Sequence, residues 1–399
     1  MKKILSYAAL FCAAMTFAAC GDDEPTTVIV DETEAADLDY KAEYAEQWGN
    51  YMLVVSNLLE DDAQTLYDLW TKDNNGEYPQ SYANLFKNPG ESNTLFHSAN
   101  DCVEQILDGC IDIAGEVSSQ KIGEPYRLYK AGKRTEALYA VESWYSFHSR
   151  EDYRNNIYSI RNAFYGSLDG NVNENSLSAV LQTLNPELNA RATALIDAAA
   201  RAIWAIPDPF RNNIGSPEVL TAMEACAELE DFIKNELKPY FSNNVKDEAV
   251  LLPVIRQYVD GVVLPTYAQL VAGNAALNEA VKAFKRNPTN AGFEDCALAW
   301  LNARQPWEQS EAFLFGPVAD RGLDPNMDSW PLDQSGIAAI LNSQDFAQLQ
   351  WSGDYEELDE ENEDASSAQA KAIAKAQNLR GYHTLEYFIF KNGQARKVN

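Results

Sequence analysis

A histidine and a glutamate near the C-terminus have the types and spacing that could hold a cation. His383 and Glu386 lie in the run Gly-Tyr-His-Thr-Leu-Glu, and residues three apart on a helix share one face. Their imidazole nitrogen and carboxylate oxygen can therefore converge on one cation or on each other. For an isolated His-X-X-Glu pair, a hydrogen bond or ion pair on the helix face is the commoner outcome, so the spacing alone leaves both interpretations open.

Three other positions could contribute to the same chemistry. Gly381 precedes the pair and has no side chain, so another helix or a ligand could approach it closely; this would offset a cost of about 1 kcal/mol for glycine in a helix interior. Glu311 lies in a mostly apolar segment and must be paired if it is buried. Glu142 and Ser146 are four residues apart, which places them on one face of a predicted helix.

Trp330 lies in a segment with two interpretations. As part of Asp-Ser-Trp-Pro-Leu-Asp, residues 328–333, it could contact a ligand. The same residues also resemble the start of a helix, in which Asp328 or Ser329 caps the first turn and Pro331 lies within it. We expect a mainly structural use of this segment, with Trp330 kept as a candidate contact.

The histidine content argues against a zinc peptidase. The chain has three histidines, His97, His148 and His383, and contains neither a His-Glu-X-X-His nor a His-X-X-Glu-His run. A zinc site with two histidine ligands would need His97 or His148, which lie far from the motif in sequence. One histidine with several carboxylates suits iron at least as well. If His383 and Glu386 bind a metal, iron or another divalent cation therefore suits them at least as well as zinc.

One run of acidic residues could also collect cations. Residues 356–364 include seven acids among nine residues. Because like charges packed together repel one another, we expect a solvated loop, and a cation-collecting loop is the alternative.

The elements that must position these residues are predicted to be helices almost throughout. Apolar residues recur at helical spacing in residues 44–59, 102–110 and 254–263, and convincing alternating strand patterns are absent. About 380 mature residues exceed one comfortable core, so we expect an all-α fold with two domains that resemble four-helix bundles. We place their boundary in the polar stretch 242–248, which gives domains over residues 35–242 and 243–399.

The N-terminus predicts export and lipid anchoring. Two lysines precede an apolar run, and Ala18-Ala19-Cys20 follows it, which is typical of a signal peptide over residues 1–19 whose next residue, Cys20, becomes acylated. Residues 20–34 would form an acidic tether. No later apolar run reaches membrane-spanning length, so we expect only the lipid to hold the protein at the membrane. The expected location is the cell envelope, as an outer-membrane lipoprotein exposed at the surface.

Charge and cysteine spacing argue against two further classes of protein. Removing residues 1–19 takes away two of the 31 basic residues and none of the 60 acidic ones, which leaves a formal charge of −31. A chain this acidic is not expected to bind nucleic acid. The four cysteines after Cys20 lack the spacing of a metal knuckle or a disulfide framework, so we expect buried free thiols.

Four sequence blocks in the last hundred residues resemble the imelysin family in order and rough spacing. They are residues 307–313, 315–317, 328–333 and 381–387. In imelysin-like chains these blocks usually lie in the first half, whereas here they follow blocks that resemble the usual second half, at residues 106–109, 121–125 and 142–149. The resemblance therefore implies a circularly permuted arrangement, with the former termini joined near residues 242–248.

The resemblance also implies a function in iron acquisition, because imelysin-like proteins are associated with iron uptake; some were first described as membrane peptidases. It places the segment of Glu142 and Ser146 opposite the helix of His383, so we predict a ligand site between the two domains. The predicted site residues are His383, Glu386, Glu311, Glu142, Ser146, Gly381 and Trp330. Iron or an iron-containing ligand and other envelope iron-uptake proteins are the expected partners. A metallopeptidase, and a structural or interaction lipoprotein without a ligand, are the alternatives.

Overall fold

The structure, a computed structural model, describes residues 38–73, 78, 80–350, 372 and 375–398. The predicted signal peptide, Cys20, the tether over residues 20–34 and the acidic run over residues 356–364 lie outside the described residues.

Helices form most of the described chain. The α-helices, in chain order, are α1 (Ala45–Thr71), α2 (Tyr82–Lys87), α3 (Ala99–Glu116), α4 (Gly123–Lys130), α5 (Arg134–Tyr139), α6 (Ser149–Tyr165), α7 (Leu177–Leu184), α8 (Pro186–Ala205), α9 (Pro217–Phe232), α10 (Lys238–Asn244), α11 (Glu248–Tyr258), α12 (Leu264–Arg286), α13 (Asn290–Glu308), α14 (Pro317–Asp320), α15 (Leu323–Asp328), α16 (Gln334–Ser343) and α17 (Gly381–Ile389). Short π-helical turns lie at Val117–Lys121, Ile233–Leu237 and Val259–Val263, and 3-10 turns at Ala42–Tyr44, Phe210–Asn212, Glu311–Phe313 and Ala347–Gln350. Two short strands, β1 (Phe390–Lys391) and β2 (Gln394–Ala395), pair in antiparallel fashion. The all-α prediction is confirmed.

Polar side chains at the helix starts explain several of these boundaries. Ser98 and Asp101 form a reciprocal capping box at the start of α3, and the Thr289 hydroxyl accepts a hydrogen bond from the Gly292 N–H at the start of α13. Such caps satisfy N–H groups that have no partner within the helix. Asp333 caps α16. The helix start predicted at Asp328 or Ser329 is therefore wrong, because Asp328 ends α15 instead.

The first bundle consists of α1, α12, α13 and α17. Trp48 of α1 packs edge-on against Phe388 of α17, with 4.8 Å between the ring centroids, and its indole N–H donates to the Phe388 carbonyl at 3.2 Å. Every residue of α17 is buried, so this helix is apolar on most of its surface. The surrounding helices thus fix the segment that carries His383 and Glu386.

The second bundle consists of α3, α6, α8 and α9, and α11 packs beside α3. It meets the first bundle where α13 packs against α6 and where the turn Glu311–Phe313 packs against α3. At this contact the Ala312 N–H donates to the Ser159 hydroxyl at 3.0 Å. An added Cβ on Gly109 would lie 2.1 Å from the Ala312 carbonyl oxygen, so glycine permits the close approach.

The predicted domain boundary near residue 243 does not separate these two bundles. The apolar stripe of α1, which we had assigned to the domain over residues 35–242, completes the core of the first bundle beside α12 and α17. Tyr51 of α1 even donates a hydrogen bond to the Leu379 carbonyl at 2.8 Å. The polar stretch 242–248 marks only a break between α10 and α11. Helical periodicity shows that a helix has an apolar face, but not which partner covers it.

One later helical stretch does reach membrane-spanning length, contrary to our expectation. Residues Glu248–Arg286 are long and apolar enough to cross a membrane by length and composition alone. The α12 part lies in the core of the first bundle, where Leu270, Leu277 and Val281 are buried, and this burial accounts for its apolar composition. The thiols of Cys102, Cys110, Cys226 and Cys296 are free and buried, as predicted.

Candidate functional site

Helix α17 begins at Gly381, whose backbone φ is +86°. This left-handed conformation favours glycine, and an added Cβ would lie 2.5 Å from the Met327 carbonyl oxygen. The close approach that we predicted is therefore made by another helix, α15. Gly381 is the first residue of α17 rather than an interior one, so the helix-interior cost that we expected does not apply.

His383 is held between two carboxylates. Its Nδ1 lies 3.0 Å from Glu386 Oε2, and its Nε2 lies 3.1 Å from Asp328 Oδ1. Burial and the neighbouring Arg304 lower the pKa of His383, but the hydrogen bonds to both carboxylates outweigh them and raise it to about 9. The imidazole is therefore protonated at neutral pH, with both nitrogens donating. A metal ion would need one of these nitrogens in its neutral form.

Glu386 joins α17 to a loop of the second bundle. Its Oε1 accepts hydrogen bonds from the N–H of Tyr145 at 3.0 Å, the N–H of Ser146 at 2.8 Å and the Ser146 hydroxyl at 2.6 Å. In this loop, residues 140–148, Ser143 and Phe147 adopt φ values of 50° and 64°, which are uncommon for residues other than glycine. The strained backbone aims two consecutive N–H groups at one carboxylate oxygen.

The helix face predicted for Glu142 and Ser146 is wrong, because both residues lie in this loop. The loop sends their side chains to different partners. Ser146 reaches Glu386, whereas Glu142 pairs with Lys121 at 3.2 Å. Lys121 Nζ also lies 3.4 Å from Glu311, so Glu311 has the partner that its burial requires. Lys121 follows α3, so this partner comes from the second bundle.

Arg304 is the buried centre of the site, and our sequence reasoning missed it. Its Nη2 lies 2.6 Å from Glu308 Oε1 and its Nε lies 3.5 Å from Asp152 Oδ2. Its Nη1 pairs with Asp328 Oδ1. Arg304 and Glu308 are four residues apart on α13, and opposite charges at this spacing on a largely apolar helix face were the signal that could have identified them.

Asp328 connects the arginine, the histidine and a tryptophan. The Trp307 indole N–H donates to Asp328 Oδ2 at 2.7 Å. Burial raises the pKa of Asp328, but Arg304 and His383 outweigh burial and hold it well below its usual range, so this carboxylate is ionised at neutral pH. Trp330 lies two residues further on, and its ring packs edge-on against His383 with 4.8 Å between centroids. The structure therefore places Trp330 beside the predicted motif.

Carboxylates outnumber cations in this group of side chains, which we call the acidic cluster. Among the described residues, its cations are Lys121, Arg304 and His383, and its acids are Glu116, Glu142, Asp152, Glu308, Glu311, Asp324, Asp328 and Glu386. Full ionisation of eight acids and three cations would leave a formal charge of −5. Bound protons or an added cation must compensate this charge.

The pKa values of two inner carboxylates are raised mainly by burial and further by neighbouring acids. Burial raises the pKa of Glu308 to about 8, although Arg304 opposes it. Burial likewise raises the pKa of Glu311 well above its ordinary value, although Lys121 opposes it. The Glu308 carboxyl therefore holds a proton at neutral pH, and an added cation would displace it.

Three carboxylates are arranged to share one ion. Glu308, Glu311 and Asp328 each offer an oxygen, and these atoms lie within 4.8 Å of one another. Asn156 adds a polar group beside them: its amide nitrogen donates to Glu308 Oε2 at 2.5 Å, while its buried Oδ1 has no hydrogen-bond partner among the residues that the structure describes. Carboxylate and amide oxygens are the donors that hard cations prefer. The geometry therefore favours an all-oxygen cation site.

Comparison with known proteins assigns the family. A family model described as Imelysin matches residues 22–235 and 263–399, which is most of the chain. The chain belongs to the imelysin family. It is 54% identical to an imelysin peptidase from Bacteroides ovatus, over 92% of this chain and 100% of that chain, with a TM-score of 0.84. It is 34% identical to Iron-regulated protein A of Synechococcus elongatus over 124 residues, which are 31% of this chain and only 30% of that protein's length.

This imelysin-family chain places one histidine in the cluster. His97 is exposed, and His148 is partly exposed, with its Nδ1 4.0 Å from Glu151 Oε2. Neither therefore brings a second imidazole to His383. The circular order of the imelysin blocks stays a prediction, and the predicted junction at residues 242–248 falls between the two matched stretches.

Proposed function

We propose that this imelysin-family protein is a cell-envelope lipoprotein of iron uptake, which binds iron or an iron-containing ligand at the acidic cluster between its two bundles. The observation that carries the proposal is the excess of eight carboxyl groups over three cationic side chains in this cluster. A hard cation bound by Glu308, Glu311 and Asp328 would supply positive charge where burial makes it most favourable. The similarity to a protein named Iron-regulated protein A favours iron as that cation.

In this proposal His383 and Glu386 position the site and do not ligate the ion. His383 donates from both nitrogens, to Asp328 and to Glu386. Glu386 Oε1 already accepts three hydrogen bonds from the loop of the second bundle. The pair therefore orients Asp328 and holds the bundles together, and this role differs from the metal ligation that the motif alone suggested.

Graded exposure supports access of an ion from solvent. The Glu116 side chain is 41% exposed and that of Glu142 is 14% exposed, whereas Arg304 and Glu308 are fully buried. Partly exposed carboxylates attract cations from solution, and buried ones bind them more strongly because the dielectric constant is lower there. The cluster thus offers an outer acidic edge and an inner binding group.

The envelope location and the membrane partner rest on the N-terminal sequence. The small residues before Cys20 and the acidic residues after it support acylation and export to the surface. An anchored protein with an ion site would keep iron close to the membrane proteins that transport it. Other envelope iron-uptake proteins are accordingly the proposed partners.

Two alternatives each have an observation in their favour. The Bacteroides ovatus relative is called a peptidase, which favours a metallopeptidase. The hydrogen bonds from Ser146 to Glu386 and the ion pair from Lys121 to Glu311 join the bundles without any ligand, which favours a structural protein. The experiment must therefore separate binding, hydrolysis and stability.

The test is the affinity of the full-length protein in detergent, without a histidine tag, for Fe²⁺ under anaerobic conditions, measured by calorimetry. We expect binding that Glu308→Gln and Glu311→Gln each weaken about tenfold or more, since each removes one charged ligand. Glu279→Gln, which changes an exposed carboxylate on α12 paired with Lys282, should bind like the wild type. Absence of Fe²⁺ binding would favour the structural alternative. Metal-dependent cleavage of a peptide library would favour the peptidase.

A further inference from the structure

We infer that Lys121 is a displaceable counter-ion of the proposed ion site, and that an entering metal ion must compete with its ammonium group for Glu311. The inference rests on the proposed function. Lys121 Nζ lies 3.4 Å from Glu311 Oε1, and Glu311 is one of the three carboxylates arranged to share an ion. The Glu311 carboxylate therefore faces both the Lys121 ammonium group and the position proposed for the ion.

A metal ion and the ammonium group cannot both occupy Glu311 at low cost. The Lys121 side chain is 4% exposed and Glu311 is also buried. Two cations that share one carboxylate in such surroundings repel each other strongly, because little water screens them. Entry of the ion therefore favours movement of Lys121 away from Glu311.

Two other carboxylates can receive the displaced ammonium group. Glu142 lies 3.2 Å from Lys121 Nζ, and Glu116 lies 3.8 Å from it on the more exposed side of the cluster. A small movement toward Glu116 would break the Glu311 contact while both of these pairs persist. No buried charge would be left without a partner, so the exchange avoids the main penalty of breaking a buried ion pair.

The backbone places Lys121 for this purpose. Lys121 is the last residue of the π-helical turn Val117–Lys121, which follows α3. The π turn contains one residue more than an α-helical turn, and this extra residue rotates every later side chain by about 100° around the helix axis. The π turn therefore determines which side chain faces Glu311. Ser119 and Gln120 in the same turn are exposed. Turns of this kind occur frequently at functional sites.

Competition with Lys121 would favour the binding of ions with a charge greater than one. A monovalent ion has no more charge than the tethered ammonium group and gains little by replacing it. A divalent or trivalent ion interacts more strongly with Glu308, Glu311 and Asp328 together. Lys121 thus favours multivalent ions, and it keeps the cluster partly neutralised when no ion is bound.

The direct test uses Lys121→Met, which keeps an unbranched side chain of similar length and removes its charge. Affinity of the full-length protein for Mn²⁺, a probe that resists oxidation, is measured by calorimetry. We expect about tenfold tighter binding than in the wild type, because the competing charge is gone. Lys72→Met, which changes an exposed lysine paired with Asp68, should leave the affinity unchanged. Equal or weaker binding by folded Lys121→Met would overturn the inference alone, whereas a wild type that binds neither Mn²⁺ nor Fe²⁺ would overturn the proposed function with it.

A second measurement needs no variant at Lys121. Acetylation of lysine side chains in the wild type is followed by mass spectrometry with and without saturating Mn²⁺. Lys121 should react slowly without the ion and several-fold faster with it, while exposed Lys72 reacts at one rate in both conditions. If Lys121 reacts equally slowly at saturation, the ammonium group does not move and the inference is wrong.

Discussion

Glu386 and Ser146 are 240 residues apart in the chain, and the Ser146 hydroxyl donates to Glu386 Oε1 at 2.6 Å. The Ser146 N–H donates to the same oxygen at 2.8 Å. A buried carboxylate that lost these donors would keep its charge and lose its compensation. The contact therefore couples the helix of the imelysin motif to the second bundle.

Replacing this carboxylate should destabilise the protein. Glu386→Gln removes the negative charge that faces His383 and two backbone N–H groups, so we expect a loss of about 3 kcal/mol in the free energy of unfolding, at the lower end for a broken buried pair. The pKa of His383 should fall as well. Urea denaturation of Glu386→Gln beside the exposed-site control Glu279→Gln measures the first effect. A loss equal to that of the control would show that Glu386 is not the coupling residue.

The energetic cost of the close contact at Gly381 can be measured separately from the cost of its backbone conformation. Gly381→Ala places a methyl group 2.5 Å from the Met327 carbonyl oxygen at φ +86°, whereas Gly132 has φ +81° with nothing within 4 Å of an added Cβ. Gly132→Ala should cost about 1 kcal/mol from strain alone, and Gly381→Ala about 2 kcal/mol more from the clash. Thermal unfolding of both variants provides the comparison. Equal losses would mean that α15 shifts to accommodate the methyl group.

Much of the fold was predictable from local patterns, since a buried helix face leaves a periodic trace in the sequence. Most residues of α1 that recur at helical spacing are buried, namely Trp48, Tyr51, Met52, Val55 and Leu59. The spacing of His383 and Glu386 likewise predicted that their side chains could meet, and they do. The pairing of α1 with α17 was not predictable in this way, because the partner of an apolar face depends on long-range packing.

The charged centre of the site could not be predicted from spacing alone. Asp328 and Lys121 find their partners through contacts between segments far apart in sequence, and nothing local distinguishes these two from surface charges. The loop of Ser143 and Ser146 was also missed. Its positive φ values occur at residues other than glycine, so no local residue type indicates the turn.

The ion-free protein should lose stability as pH rises above neutrality. His383 has a pKa of about 9 against 6.5 in its ordinary state, and Glu308 one of about 8 against 4.5. A group whose pKa is raised by folding stabilises the protein fully below its unfolded pKa and ceases to do so as pH passes its folded pKa. The contribution of Glu308 is therefore lost between about pH 4.5 and pH 8, and that of His383 between about pH 6.5 and pH 9.

The measurement is the urea midpoint as a function of pH, with and without Mn²⁺. We expect the midpoint to fall from about pH 6.5 to pH 9 without the ion, and to fall less with it, because an ion replaces the lost protons. Asp328 behaves in the opposite way: its lowered pKa means that its contribution is lost in acid. A midpoint that rises toward alkaline pH without the ion would contradict the assignment of His383 and Glu308 as proton-holding groups.

Anchoring can be tested at a single residue. Cys20→Ser removes the thiol that acylation requires, so the protein should leave the membrane fraction and carry no lipid. Cell fractionation and mass spectrometry of the mature N-terminus report both outcomes, with Cys102→Ser, a change at a buried thiol, as the control. A Cys20→Ser variant that stays in the membrane fraction and carries lipid would exclude lipidation at this residue.

Anomalous diffraction from crystals of the protein soaked in Mn²⁺ tests the central claim most directly, because it locates the ion without reference to activity. The account predicts a peak between Glu308, Glu311 and Asp328, about 2–2.5 Å from an oxygen of each, with His383 still hydrogen-bonded to Asp328 and Glu386. A peak bonded to a nitrogen of His383 and an oxygen of Glu386, or no peak in the acidic cluster at saturating Mn²⁺, would contradict it.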